Sequence, residues 1–303
     1  MSEKRIGIKA GLALHSDALR YIEVREFKDR FRIQRAVTVP LVARTIVKNS
    51  VYNFDMLSLA CKRLRQEIRS FKAPVAVGIP TLDAQLKLIR MPNMSEEDAR
   101  SALSVSFRDY FTVSADEMSY EIHAVDAPSE YTSEGERQFL AVAVQSDYIA
   151  KFQTALRRAR VPTAAIEPMG TALGRMIGDA VGKNEIYIFV NVEADFLSAV
   201  VMYGDNGLLY RFTSCDEDER SKLENLKYFI QSTVSFLALE YQGIQVSKIL
   251  LSGTTGSFDV LLAAAREAGG VDAEFVNLDK LWTFDGRRKP EPGYETAFAL
   301  AVR

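Results

Sequence analysis

At 303 residues the chain exceeds one comfortable hydrophobic core, so two or more domains or subdomains are expected. Its 48% hydrophobic and 26% charged residues describe a globular protein, and a formal net charge of −2 gives no global reason to expect nucleic-acid binding. Two cysteines, Cys61 and Cys215, are too few for a Cys-rich metal site and favour a reducing, cytosolic setting. The polar N-terminus, MSEKRIGIKAG, carries no expected signal peptide. No apolar run reaches the ~20 residues of a membrane-spanning helix, so membrane contact is expected to be indirect, through a partner.

In chain order, Arg5–Ala10 reads as a strand ending near Gly11, and 18–27 and 31–39 alternate apolar and polar residues about a turn at Lys28-Asp29-Arg30. Asn53–Ser70 has helical spacing, with Met56, Leu57, Leu59, Ala60, Leu64 and Ile68 on one side. Ala73–Ile79 reads as a buried strand. From about Lys87 the texture changes. Ser95 is the expected N-cap of a helix running to Tyr110, with Asp98 at the capping-box position. Strands at 118–125 and 138–144 flank a polar tip, 126–137, and a helix at 147–160 follows. Helix, hairpin and helix suggest a small inserted α+β subdomain. The chain returns through Ala164–Glu167 and a helix at 168–181.

The second part repeats this order. Ile186–Val192, Leu197–Tyr203 and Leu208–Thr213 read as three strands, the last two joined by the turn Gly204-Asp205-Asn206-Gly207. A long helix at 219–241, a strand at 248–251, a helix at 257–268, a short strand at 273–276 and a closing helix at 294–302 follow. Each half therefore reads strand, strand, strand, helix, strand, which suggests duplication.

A duplicated βββαβα unit with an insertion in its first half resembles the actin-like (RNase H-like) ATPase superfamily, and the placing of the insertion resembles its FtsA branch. Local patterns resemble the PilM family of type IV pilus assembly proteins. These are Arg90-Met91-Pro92-Asn93-Met94-Ser95-Glu96-Glu97, Phe139–Ala143 with Ala159-Arg160-Val161-Pro162, Ile166-Glu167-Pro168 with Ala172-Leu173-Gly174-Arg175, Ile249–Gly253, and Ala299–Arg303. The resemblance implies an α/β fold with a first actin-like half at 1–88, completed by 163–183 and the C-terminal helix 293–303. It further implies an inserted α+β subdomain at 89–162 and a second half at 184–292 with a reduced or missing subdomain of its own, since only Cys215–Arg220 separates the third strand from the long helix.

In that superfamily the first hairpin of each half wraps phosphates, with an aspartate and glycines beside the anion. The family motif resembles D-I-G-S-S-S; the matching stretch here is Lys9-Ala10-Gly11-Leu12-Ala13-Leu14. In the second half it falls on Asn191-Val192-Glu193. A carboxylate facing a polyphosphate costs about 4 kcal/mol at 4 Å in a poorly hydrated cleft. Lys9 has two expected partners, a phosphate or, preferred, Glu193 across an empty cleft. Gly253 and Gly256 either approach an adenosine or belong to an ordinary strand-to-helix loop. The site is expected to be degenerate, with no catalytic residue, metal or cofactor; Mg-ATP belongs to the alternative, an active ATPase with divergent loops. His15 and His123 are too few and too separate for a metal site. The acidic run 216–219 reads as a solvated helix start. The basic clusters Arg157-Arg158…Arg160 and Arg287-Arg288-Lys289 read as solvated faces, with lipid headgroups or an acidic tail as the sharper reading.

The resemblance implies a non-catalytic cytoplasmic scaffold, peripheral to the inner membrane, that binds the N-terminal tail of a PilN-like bitopic membrane protein; a pilus motor ATPase is a further implied partner. The expected tail groove is lined by Leu88, Arg90, Met91, Phe107, Tyr110 and Phe111. Alternatives are a type II secretion platform component of the GspL kind and a sugar kinase of the same superfamily.

Overall fold

The computed structural model describes residues 7–27, 30–127, 134–178, 185–204, 206–215, 218–241, 243–253, 257–277, 283–284 and 293–303. The chain begins with three antiparallel strands, β1 (Ile8–Leu14), β2 (Ala18–Phe27) and β3 (Arg30–Pro40). A short hairpin of β4 (Ile46–Val47) and β5 (Ser50–Val51) follows. Helix α1 (Phe54–Ile68) starts at Asn53, whose side chain accepts from the backbone N–H groups of Asp55 and Met56 at 3.1 and 3.0 Å. Its buried residues Leu57, Ala60, Cys61, Leu64 and Ile68 recur at helical spacing and face β1–β3 and β6 (Val75–Ile79).

The inserted segment is a sheet of order β7-β9-β8, from β7 (Gln85–Pro92), β8 (Met118–Val125) and β9 (Glu136–Gln145). Helix α2 (Glu96–Val105) packs on it, capped by Ser95, whose Oγ accepts from the Asp98 backbone N–H at 3.1 Å as the sequence suggests. The expected continuous helix to Tyr110 breaks at Ser106 into a four-residue turn of helix, α3 (Phe107–Tyr110). Strand β7 is an addition to the sequence reading. Helix α4 (Ser146–Arg158), expected within the insertion, buries Phe152, Ala155 and Leu156 in one core with α1 and the first sheet.

The chain then adds β10 (Thr163–Pro168) at the edge of the first sheet and continues into α5 (Met169–Gly178). The second half comprises β11 (Ile186–Val192), β12 (Phe196–Tyr203), β13 (Asn206–Ser214), α6 (Glu219–Glu240), β14 (Val246–Gly253), α7 (Phe258–Gly269) and β15 (Ala273–Phe275). Helix α8 (Glu295–Ala301) ends the fold. The two five-stranded sheets run β3-β2-β1-β6-β10 and β13-β12-β11-β14-β15. Third, second, first, fourth and fifth strand of each half thus take the same order, with the same parallel pairing of first to fourth and fourth to fifth. The duplication read from element order is present in the topology.

Helices α5 and α8 fill the space between the sheets. Every residue of α8 is buried, in a core that takes Ala13 and Ile22 from the first half and Phe189 and Leu250 from the second. The small residues Ala297, Ala299 and Ala301 let α8 lie directly on β1. A Cβ on Gly11 would stand 2.0 Å from the Ala297 carbonyl oxygen and 2.7 Å from the Ala301 nitrogen. Gly11 is therefore a packing glycine in mid-strand, and β1 continues three residues beyond it instead of ending there. The tip at 128–133, Asp216-Glu217, Gly256 and Arg287-Arg288-Lys289 lie outside the described residues.

Candidate functional site

Where the halves meet, two hairpin turns face one another. In the first, Leu14 pairs with Leu19 and the His15 N–H donates to the Ala18 carbonyl at 3.0 Å. In the second, Val192 pairs with Leu197 and the Glu193 N–H donates to the Phe196 carbonyl at 2.9 Å. The turns are equivalent, so His15 stands where Glu193 stands and Ala13 where Asn191 stands. This corrects the register read from sequence, which put the first turn's chemistry at Lys9–Leu14, four residues early. A local signal exists: His15-Ser16-Asp17-Ala18-Leu19 and Glu193-Ala194-Asp195-Phe196-Leu197 share Asp and Leu at matching places.

Lys9 does not reach Glu193. It lies within β1 and pairs with Glu26 on β2 at 3.0 Å. The partner of Glu193 is His15, whose Nδ1 lies 3.2 Å from Glu193 Oε1, with both side chains about 95% buried. Asn191 Nδ2 donates to the same Oε1 at 3.0 Å, and Ser252 Oγ donates to Asn191 Oδ1 at 2.8 Å. Two residues further along the turn, Asp195 Oδ2 accepts from the Lys48 N–H at 2.9 Å, so the β4–β5 hairpin also reaches across. His15 Nε2, Glu193 Oε2 and Asp195 Oδ1 are buried without a hydrogen-bond partner.

Around this pair the charges are already committed. Arg20 forks onto Asp17 at 2.9 and 2.8 Å. Burial alone would raise the Asp17 pKa, but the hydrogen bond and charge of Arg20 outweigh it and hold the carboxyl below its usual value. Glu295, on α8, is pushed up by burial, against its bonds to backbone N–H groups and the charges of His15 and Arg20. Gly253 has φ +138°, and a Cβ there would meet the Val192 oxygen at 1.9 Å. Its glycine serves the close approach of β14 to β11. Among the described residues no group of three His, Cys, Asp or Glu is placed to hold a metal.

A second concavity lies between the inserted sheet and the first half. It has a volume of about 420 Å³; Ile79, Val142, Ile149 and Ile166 give it an apolar floor, and Arg100 and Glu121 lie on its rim. A further cavity of about 520 Å³ shares Gln153 and Ile166 with it and continues past Arg157 and Thr163. Both are lined by β10, which among the described strands pairs only with β6 and so has one unpaired edge.

The residues expected to line a groove lie elsewhere. Phe107 and Phe111 are 1% exposed and stack on each other, ring centroids 4.6 Å apart, in the core of the inserted subdomain with Met91. Tyr110 is half-buried against the same core. Leu88 packs towards the core of the second half, and Arg90 pairs with Glu240 of α6 at 3.2 Å. The cavity is built instead from β6, α2, β8, β9, α4 and β10, segments with no shared sequence pattern.

The family model of type IV pilus assembly protein PilM matches residues 11–169, just over half of the chain. The chain belongs to the PilM family. No curated protein sequence matches it significantly. Among solved structures, one described as a PilM–PilN type IV pilus biogenesis complex is similar at 19% identity, with 97% of each chain covered and a TM-score of 0.81. A Bacteroides thetaiotaomicron protein with an actin-like ATPase fold and unknown function is similar at 13% identity and TM-score 0.54, over 92% of this chain and 96% of that one. The cytoplasmic domain of EpsL, an inner-membrane component of the Vibrio cholerae type II secretion system, is similar at 8% identity and TM-score 0.53, over 97% and 94%. At these identities the likeness is one of fold, and the fold of this PilM family member is actin-like.

Proposed function

We propose that this PilM family member is a non-catalytic adaptor of a type IV pilus assembly platform, holding a short extended tail of a membrane protein along the edge of β10. The observation that carries this reading is the pair of adjoining cavities beneath the inserted subdomain, which share Gln153 and Ile166 and have an apolar floor and an unpaired strand edge as one wall. An edge strand offers backbone hydrogen bonds to an added strand, and pockets beside it select every second side chain. With six residues in β10, the edge accommodates a tail of about six residues, roughly 20 Å of extended chain. The similar PilM–PilN complex supports a PilN-like protein as the source of the tail, and so a place at the cytoplasmic face of the inner membrane. No helix among the described residues is long and apolar enough to cross a membrane.

The non-catalytic part of the proposal is supported by the cleft. The second turn offers a buried carboxylate where a phosphate-binding turn needs glycine and free N–H donors, and that carboxylate is already paired with His15. Hydrogen exchange with and without a PilN-like tail peptide tests the assignment. Slowed exchange is expected in β10, β8 and the first two turns of α4, with the His15 and Glu193 turns unchanged. Protection confined to the cleft between the halves would refute it.

A further inference from the structure

Charge is unevenly distributed over this chain. Residues 54–72, which hold α1, carry five basic and two acidic side chains, and residues 146–160, which hold α4, carry four and one. These two segments are therefore six charges positive in a chain whose net charge is −2. Both helices bury their apolar sides in one core against the same face of the first sheet, so their outward sides form one surface. Asp55 and Arg158, 2.8 Å apart, bridge the two helices there. Lys62, Arg63, Arg69, Lys72, Arg157 and Arg160 are exposed, and their side-chain cations form no ion pair within 4.0 Å among the described residues, although the Lys72 backbone N–H donates to Glu23 at 3.3 Å.

Apolar groups stand among these cations. Tyr52, Met56 and Leu59 are 71%, 36% and 48% exposed, and Met56 and Leu59 lie one helical turn apart on the outward side of α1. Between α1 and α4 a concavity of about 430 Å³ is lined by Tyr52, Asn53, Asp55, Lys151, Thr154 and Arg158, but its two cations are already paired, Lys151 with Asp147 at 2.6 Å and Arg158 with Asp55, so the free cations of this face lie outside it. Arg157 borders this face and also the groove along β10. A tail leaving a bilayer and entering that groove would emerge beside the basic face.

We propose that the α1–α4 face binds an anionic phospholipid surface directly, with Lys62, Arg63, Arg69, Lys72, Arg157 and Arg160 against the headgroups and Tyr52, Met56 and Leu59 in the interfacial layer. Basic side chains with apolar neighbours on one surface match an interfacial binding mode, in which long cationic side chains reach headgroups while apolar ones enter the acyl boundary. Each basic residue held close to an anionic leaflet contributes about a fivefold factor in affinity, falling off within a Debye length of roughly 8 Å. The groove reading concerns a separate surface, and the orientation towards the tail, though not the lipid contact itself, rests on it.

The test is cosedimentation of the full chain, without tail peptide, with vesicles of phosphatidylcholine alone and with roughly 30% phosphatidylserine. Binding is expected only to the anionic vesicles, and is expected to vanish at about 0.5 M salt. The variant Lys62→Gln, Arg63→Gln, Arg69→Gln, Lys72→Gln, all at exposed positions away from the groove, is expected to lose about six-hundredfold in vesicle affinity while keeping tail-peptide affinity. Equal sedimentation with both vesicles, no sedimentation with anionic vesicles at low salt, or an unchanged variant would each overturn the proposal. So would duplex DNA binding more tightly than the vesicles at equal phosphate concentration, which would make the face one for nucleic acid. Loss of tail binding with vesicle binding intact would remove the groove reading and leave this one standing.

Discussion

The His15→Ala substitution probes the joint between the halves. His15 and Glu193 are each about 95% buried and their side chains meet at 3.2 Å, so removing the imidazole leaves a buried carboxylate with Asn191 Nδ2 as its remaining partner. Breaking a buried pair by removing one member costs about 3–5 kcal/mol, because the other stays buried and under-satisfied. At roughly 2–4 °C per kcal/mol, the thermal midpoint should fall by about 6–20 °C. Glu193→Gln keeps the shape and a hydrogen bond to the imidazole, and should cost under about 1.5 kcal/mol. The decisive form is a double-mutant cycle with His15→Ala and Glu193→Ala, followed by chemical denaturation. The double variant should be more stable than the sum of the single losses predicts, by at least about 1 kcal/mol. Simple additivity, or a midpoint unmoved by His15→Ala, would show that the two turns are not energetically joined there.

Three further outcomes are expected. Gly11→Ala should destabilise by about 3 kcal/mol or more, since its Cβ meets helix backbone at 2.0 and 2.7 Å, while Gly7→Ala, with nothing within 4 Å, should be close to neutral; equal melting points would count against the packing of α8 on β1. Tyr148→Phe removes a donor 2.5 Å from Asp83 Oδ2, a carboxyl whose pKa burial raises despite bonds from Ser50, Tyr148 and Val51. The raised pKa means that Asp83's contribution is fully present below its unfolded value and is lost as pH rises through the folded one. The Tyr148→Phe loss, about 1–3 kcal/mol at neutral pH, should therefore shrink in acid, and a loss independent of pH would be the contrary result. For Asp17 the sign reverses: its folded pKa is depressed, so its contribution is present above the unfolded value of 3.8 and lost as pH falls through the folded one. Asp17→Asn should flatten the acid limb of stability by under about 1 kcal/mol, because half of the carboxyl is exposed and solvent screens its pair with Arg20.

Element order was the most legible property of this sequence. Strand triplets, the Ser95 cap, the buried strand at Val75–Ile79 and the repeated order all follow from local periodicity, which depends on neighbours a few residues away. What local pattern could not carry was the reason for a residue. Gly11 looks like the end of a strand, yet it is glycine because α8, almost 300 residues later, lies on it. That misreading moved the first turn by four residues and gave Lys9 a partner it does not have. His15 looked isolated because its partner stands on the other half of a duplicated fold. Phe107, Tyr110 and Phe111 look like an aromatic docking stripe, but a subdomain this small needs such side chains for its own core. The groove itself draws on six separated segments, and its strand edge exists because the inserted chain returns as β10, which among the described strands pairs only with β6.

We propose that this actin-like protein holds a peptide tail and not a nucleotide. Isothermal titration of one sample with a PilN-like N-terminal tail peptide and with Mg-ATP tests both halves of this proposal, with Ile166→Glu as the control for the groove. Saturable peptide binding in the micromolar range, abolished by Ile166→Glu, together with no heat from Mg-ATP at millimolar concentration, is the predicted result. Saturable Mg-ATP binding that Ile166→Glu leaves intact, with no peptide binding, would contradict it.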